Sequence, residues 1–175
     1  MAGKSSGVRA VLPKAPGGKP SSFRHPLLLL GFVVLLSFFF AKLEIQIEGK
    51  NGWASSLPTW KIEKHWLLDI FWGGRPMTGY HAWAFSFMFL VFHLHFFLTG
   101  TWRPLMECRV LGSLMWFWIA EDFLWFLLNP AYGWNRFAPA FVPWHKSWIW
   151  LFPTDYWTFC AVGGILLLLS FRRQS

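Results

Sequence analysis

Glu121 and Asp122 stand side by side inside the apolar run LGSLMWFWIAEDFLWFLLN (111–129), which otherwise reads as a membrane-spanning helix. A carboxylate at such depth costs several kcal/mol unless it is paired, protonated or metal-bound, so these two acids mark a functional interior. At 1.5 Å per residue, Asp122 lies about 10 Å below Asn129. His81 opens another apolar stretch, His145 sits in PWHKSW, and Asp155 opens the last stretch. Two imidazoles and a carboxylate suit Zn²⁺ or Fe²⁺. The expectation is therefore a divalent-metal site at His81, His145 and Asp122, with His65 or Asp69 able to complete it, and with Glu121 and Asp122 as the catalytic acid–base pair. The plainer alternative is a buried ion pair between one acid and Arg75, Arg136 or Lys146.

Glu121 and Asp122 are rotated by about 100° from each other on a helix, so they face one point only if another segment wraps around them. His93 and His95 lie roughly 18 and 21 Å from His81 along the same helix and cannot share an ion with it. They read as interfacial or helix-contacting histidines, and a haem would lack a partner His at their depth. No HExxH, GxSxG, Walker or GxGxxG motif is present. A triad of Ser147, His145 and Asp155 can be drawn, but nothing nearby in the sequence activates that serine. Cys108 and Cys160 fall at different depths, which argues against a disulfide.

The elements that must hold these groups are helices in lipid. The 175 residues are 55% hydrophobic and 21% aromatic, with 14 Trp and 20 Phe, far from the balance of a soluble domain. Stretches near 26–42, 79–101, 110–128 and 155–171 approach the roughly 20 apolar residues that cross a bilayer. The fold class expected is an all-α integral membrane protein: a four-span helical bundle with a Trp-rich extracytoplasmic loop layer. Residues 1–25, rich in Gly, Ser, Pro and Lys, read as a disordered basic cytoplasmic tail, and 26–175 as the membrane domain. A cleaved signal peptide fits less well, because no small-residue cleavage pattern follows the apolar stretch.

The net charge of +8 forms no basic stripe of the kind nucleic acid requires. The basic residues flank spans instead, at the N-terminal tail, at Arg103 and Arg109, and at Arg172 and Arg173. The positive-inside tendency puts both termini in the cytoplasm and the protein in a cytoplasmic or inner membrane, as a multi-pass chain.

Between spans, LEIQIEG (43–49) alternates like a short strand, and KIEKHWLLDIFW (61–72) suits an interfacial amphipathic helix. The segment 129–157 carries prolines and tryptophans that argue for an irregular layer at the membrane surface. Those rings form either an aromatic belt or the roof of a ligand cavity.

The acidic pair and the aromatics after it, EDFLWF (121–126), resemble the acidic–aromatic motif of small membrane isoprenoid cyclases such as heterodimeric lycopene cyclases. That resemblance covers one short stretch and implies cyclase-like chemistry on an isoprenoid. The leading functional expectation is broader: a polar pocket lined by His81, Glu121, Asp122, Asn129 and His145 that binds or acts on a lipid-like molecule. The alternative is a non-catalytic accessory or assembly subunit of a larger membrane complex, or a homo-oligomer, with Gly112, Ser113, Gly163 and Gly164 permitting close helix approach. A transporter is a third option, although one short bundle lacks inverted repeats.

Overall fold

The computed structural model describes residues 26–71 and 74–171, and the side chains of 69–71 are left aside. The tail 1–25 and the terminal Arg172 and Arg173 lie outside the described residues. The protein is 65% helical. Three helices are long and apolar enough to cross a membrane: α1 (Pro26–Glu48), α3 (Gly79–Thr99) and α4 (Pro104–Leu128). A fourth apolar helix, α5 (Thr154–Ser170), is shorter at 17 residues, and α2 (Trp66–Phe71) is a single short turn-and-a-half.

Helix α4 is the axis of the fold, with α1 and α5 packed along it and α3 leaning on it more loosely. The α1 contact is close: Ser37 Oγ donates to Phe117 O at 3.0 Å, and Val33, Ser37, Ala41, Ile45 and Phe117 are buried. The α4–α5 contact is closer still, because a Cβ on Gly112 would sit 2.8 Å from Gly163 O and one on Gly163 would meet Trp116. Gly112 and Gly163 therefore serve packing within this chain. At the far end of the same interface Arg109 Nη2 donates to Ser170 O at 2.9 Å.

The first helix does not stop near residue 42. It runs through LEIQIE to Glu48, so the strand expected at 43–49 is absent. The alternation that suggests a strand coincides here with a helical stripe: Ala41, Glu44, Ile45 and Glu48 are all buried, and they follow the i, i+3, i+4, i+7 spacing of one helix face. Burial on one side by α4, rather than sheet pairing, decides the conformation.

The 61–72 segment is likewise divided. Lys61–Ile62 (β1) pairs antiparallel with Met77–Thr78 (β2), and only Trp66–Phe71 is helical. A second two-residue ladder joins Trp148–Ile149 (β3) to Phe152–Pro153 (β4). These ladders brace the loops at one end of the bundle.

The ends of the long helices follow from local chemistry. Thr78 caps α3, accepting from His81 N at 3.2 Å, and Gly100 closes that helix in the left-handed region at φ 60°. Pro104 in the first turn of α4 fits a helix start, so α4 begins six residues before the expected 110 and the connection from α3 shrinks to 100–103. With that turn at one end, the C-termini of α1 and α4 and the N-termini of α3 and α5 meet at the other, beneath the loops.

Candidate functional site

At this loop-rich end, α1 supplies two acids one helical turn apart, Glu44 and Glu48, both buried. Glu44 Oε1 accepts from Tyr80 Oη at 3.0 Å. Glu48 Oε1 accepts from the backbone of Ala54 at 2.6 Å, a contact made possible because Trp53 and Ala54 turn back at φ 47° and 50°. Two non-glycine residues in the left-handed region are held only where surroundings enforce them. Here the Trp53 ring is stacked on His81 at 4.0 Å, lies beneath the Arg75 guanidinium and donates its N–H to Pro76 O at 2.9 Å.

His81 is fixed from both sides. Thr78 Oγ1, which accepts from the His81 amide, also lies 2.7 Å from Nδ1. On the other side of the ring Nε2 faces Glu48 Oε1 at 3.5 Å.

From α4, Glu121 comes against Glu44 of the α1 acids. Two carboxyl groups in such contact bond only when one donates to the other. Glu121 Oε1 is buried with no hydrogen-bond partner among the described residues. Trp125 Nε1, one turn further along α4, is buried in the same unpartnered state. Such groups are rare in native folds and call for an explanation.

Asp122 faces a different set. Its Oδ2 accepts from His145 Nε2 at 3.1 Å and from Tyr156 Oη on α5. Beside them Arg75 pairs with Asp155, and His145 Nδ1 lies 3.4 Å from Asp155 Oδ1 without a hydrogen bond. With Nε2 donating, Nδ1 is left as a bare acceptor. Burial holds the His145 imidazole below its ordinary range, and the Asp122 charge acts against that shift without reversing it. Burial also lowers the Arg75 guanidinium, opposed by Asp122.

Both sets border one cavity of about 500 Å³, within the size range of small-molecule sites. Its polar lining is made by Glu44, Glu48, Arg75, His81, Glu121, Asp122, Ser147, Thr154, Asp155 and Thr158; the remainder is aromatic and aliphatic, including Phe85, Phe89, Leu114, Trp118 and Phe159. Thr158 of α5 is exposed and Phe89 of α3 is 46% exposed, and both line the cavity. Ser147 in the loop before α5 is likewise exposed and lines it, so the cavity opens between α3 and α5 and toward the loops.

Four of the expected residues, His81, Glu121, Asp122 and His145, are at the site, but not as expected. Among the described residues no group of three or more His, Cys, Asp or Glu side chains is arranged to hold a metal ion. The divalent Zn or Fe site at His81, His145 and Asp122 is thus not formed. His81 is committed to Thr78 and Glu48, whereas His145 is committed to Asp122, on a different face of α4. Asn129 is also spent elsewhere, donating to Gly49 O at 2.9 Å and accepting from Ala131 N at 3.0 Å. His65 is exposed, and its Nδ1 accepts from Leu67 N at 3.3 Å, away from the site. The Asp69 side chain lies outside the description. Arg136 turns back to Ala131 O, and Lys146 is exposed. Both ring nitrogens of His145 face acids, which leaves neither for Ser147. His93 bonds Glu107 Oε1 at 3.0 Å, a contact between α3 and α4 at the opposite end of the bundle.

Glu44, Glu48 and Tyr156 escape the sequence reading, and Arg75 enters it only as an ion-pair partner for Glu121 or Asp122. The i, i+4 spacing of the two glutamates was a usable signal, hidden by their alternation with Ile and Gln.

No protein-family model matches the chain, and no curated protein and no solved structure is similar to it.

Proposed function

We propose that this protein is a four-span membrane protein, both termini cytoplasmic, whose outer-leaflet pocket binds an apolar, lipid-like molecule and moves a proton to or from it. The fourth span is α5, short enough to require a locally thinned bilayer. The observation that carries the reading is Glu121: a carboxyl group 3% exposed, set against Glu44, stands on the wall of a cavity, and in this reading the two acids share a proton and the opening between α3 and α5 faces lipid. A molecule dissolved in the bilayer reaches it sideways, without crossing water.

In this reading the Glu44–Glu121 pair is the acid. Asp122, on the cavity wall and held by His145 and Tyr156, is the base. The aromatic wall excludes water and stabilises positive charge that develops on the ligand. Protonation of an isoprenoid alkene, the cyclase-like case, is one instance of this chemistry, and no metal takes part in it.

Purification in mild detergent followed by extraction and mass spectrometry tests the proposal. Wild-type protein is expected to retain a discrete apolar molecule that acquires deuterium at carbon in heavy water, and Glu121→Gln is expected to stop the labelling. No retained molecule, or labelling unaffected by Glu121→Gln, contradicts it.

A second reading, an accessory subunit, draws on α3. It packs loosely on α4 and exposes Trp83, Phe87, Phe97 and Leu98 at 62–76%, a face suited to a partner helix as well as to lipid. Chemical cross-linking in native membranes separates the two readings: a defined protein adduct through α3 favours the subunit, and only lipid adducts favour the enzyme.

A further inference from the structure

We infer that the head group this pocket accepts is a protonated amine, carried on a single apolar chain. The inference rests on the lipid-binding reading above and names the ligand class.

Acids gather at the α1–α4 corner of the cavity, while its donors belong to other segments: Arg75, Ser147, Thr154 and Thr158 come from the loops and α5, and Trp125 Nε1, one turn from Glu121, is the nearest donor on α4. Glu121 Oε1 is a buried acceptor without a partner, and Glu44 and Glu48 lie beside it on the facing helix. The guanidinium of that region, Arg75, is engaged by Asp155 and by the Trp53 ring. A phosphate, sulfate or carboxylate head would therefore meet acids at close range, which costs several kcal/mol in a region of low dielectric. A hydroxyl group would bring one hydrogen and leave the crowding of acids unrelieved. An ammonium group brings three donors and one positive charge. It can replace the proton between Glu44 and Glu121 and reach Glu121 Oε1 as well. Charge-assisted bonds of this type are about twice as strong as neutral ones. An independent feature of the wall points the same way: Trp118, Trp125 and Phe85 border the cavity, and such rings attract a desolvated cation.

The chain attached to the head has a path and a length. His81 to Phe89 on α3 and Asp122 to Leu114 on α4 are each eight residues, so the apolar half runs about 12 Å from the polar end to the flank opening. That length and a volume of about 500 Å³ suit one chain rather than the paired chains of a phospholipid.

The test compares dodecylamine, dodecanol and dodecanoate on purified full-length protein in nanodiscs of zwitterionic lipid, with uptake by empty nanodiscs subtracted. Saturable binding is expected for the amine, with the alcohol and the carboxylate weaker by about tenfold or more, the equivalent of one charge-assisted bond. Glu121→Gln and, separately, Glu44→Gln are each expected to weaken the amine by a similar factor; Glu44→Gln serves if Glu121→Gln fails to fold by its thermal transition. Leu114→Trp, which fills the apolar half, should abolish binding of all three. Equal binding of the three probes, blocked by Leu114→Trp, would overturn the amine inference and leave the lipid-binding reading standing. Amine binding indifferent to both glutamate changes would also overturn it. Absence of saturable binding for every probe would remove both.

Discussion

At the scale of single residues, the site is a set of acids kept apart by what each one touches. Asp122 is held by His145 and Tyr156, and Glu121 by Glu44, although the two are neighbours in sequence. Tyr156→Phe removes one of the two hydrogen bonds that Asp122 Oδ2 accepts and leaves it to His145 alone. It is expected to lower stability by about 1–3 kcal/mol, read as a drop of several degrees in thermal unfolding in detergent. An unchanged transition would show that Asp122 does not depend on Tyr156. His145 gives a pH prediction whose sign is fixed by burial. Its folded-state affinity for a proton lies below that of the unfolded chain, which titrates near pH 6.5. The unfolded state therefore binds more protons as pH falls through that value, and the stability supplied by neutral His145 is lost on acidification. The stability difference between wild type and His145→Gln should shrink between about pH 7.5 and about pH 5.5. A difference that grows in acid would mean that the imidazole is charged in the fold.

At the scale of elements, the acidic pair and the two histidines were legible in the sequence because charges in apolar runs stand out by composition alone. The partners were not, because they depend on how far helices extend and which faces they turn. Residues 43–49 satisfy both a two-residue and a 3.6-residue period, and only packing against α4 decides between them. Asp122's partner Tyr156 is an ordinary aromatic among many, and becomes visible only once α5 is laid on α4. The turn after α1 offers a sharper check. Gly52 sits at φ +62°, and a Cβ there would lie 2.8 Å from Trp125 and 2.9 Å from Trp144. Gly52→Ala is expected to cost about 2–4 kcal/mol from left-handed strain and overpacking together. Because the same turn presents Ala54 to Glu48, the change should also weaken ligand retention. Wild-type unfolding and retention in Gly52→Ala would show that the turn does not set the site.

At the scale of the whole molecule, three long apolar helices and a shorter one surround a cavity that is polar beneath the loops and apolar toward the flank. This gradient matches that of an amphiphile in a membrane, and it explains how acids can be placed in a hydrophobic bundle without cations beside each of them: a carboxylic acid sharing its proton is nearly neutral. The two glutamates, far apart in the sequence, thus depend on each other, α1 providing one and α4 the other. A lipophilic carbodiimide reads this arrangement directly, since it reaches carboxyl groups from the lipid phase and reacts with those that carry a proton. In native membranes, peptide mass spectrometry should find the adduct on Glu44 or Glu121, with Glu63 and Glu107 spared and the reaction suppressed by Leu114→Trp. Modification confined to Glu63 or Glu107, or none at all on the α1 and α4 acids, would contradict a protonated carboxyl pair within reach of the bilayer.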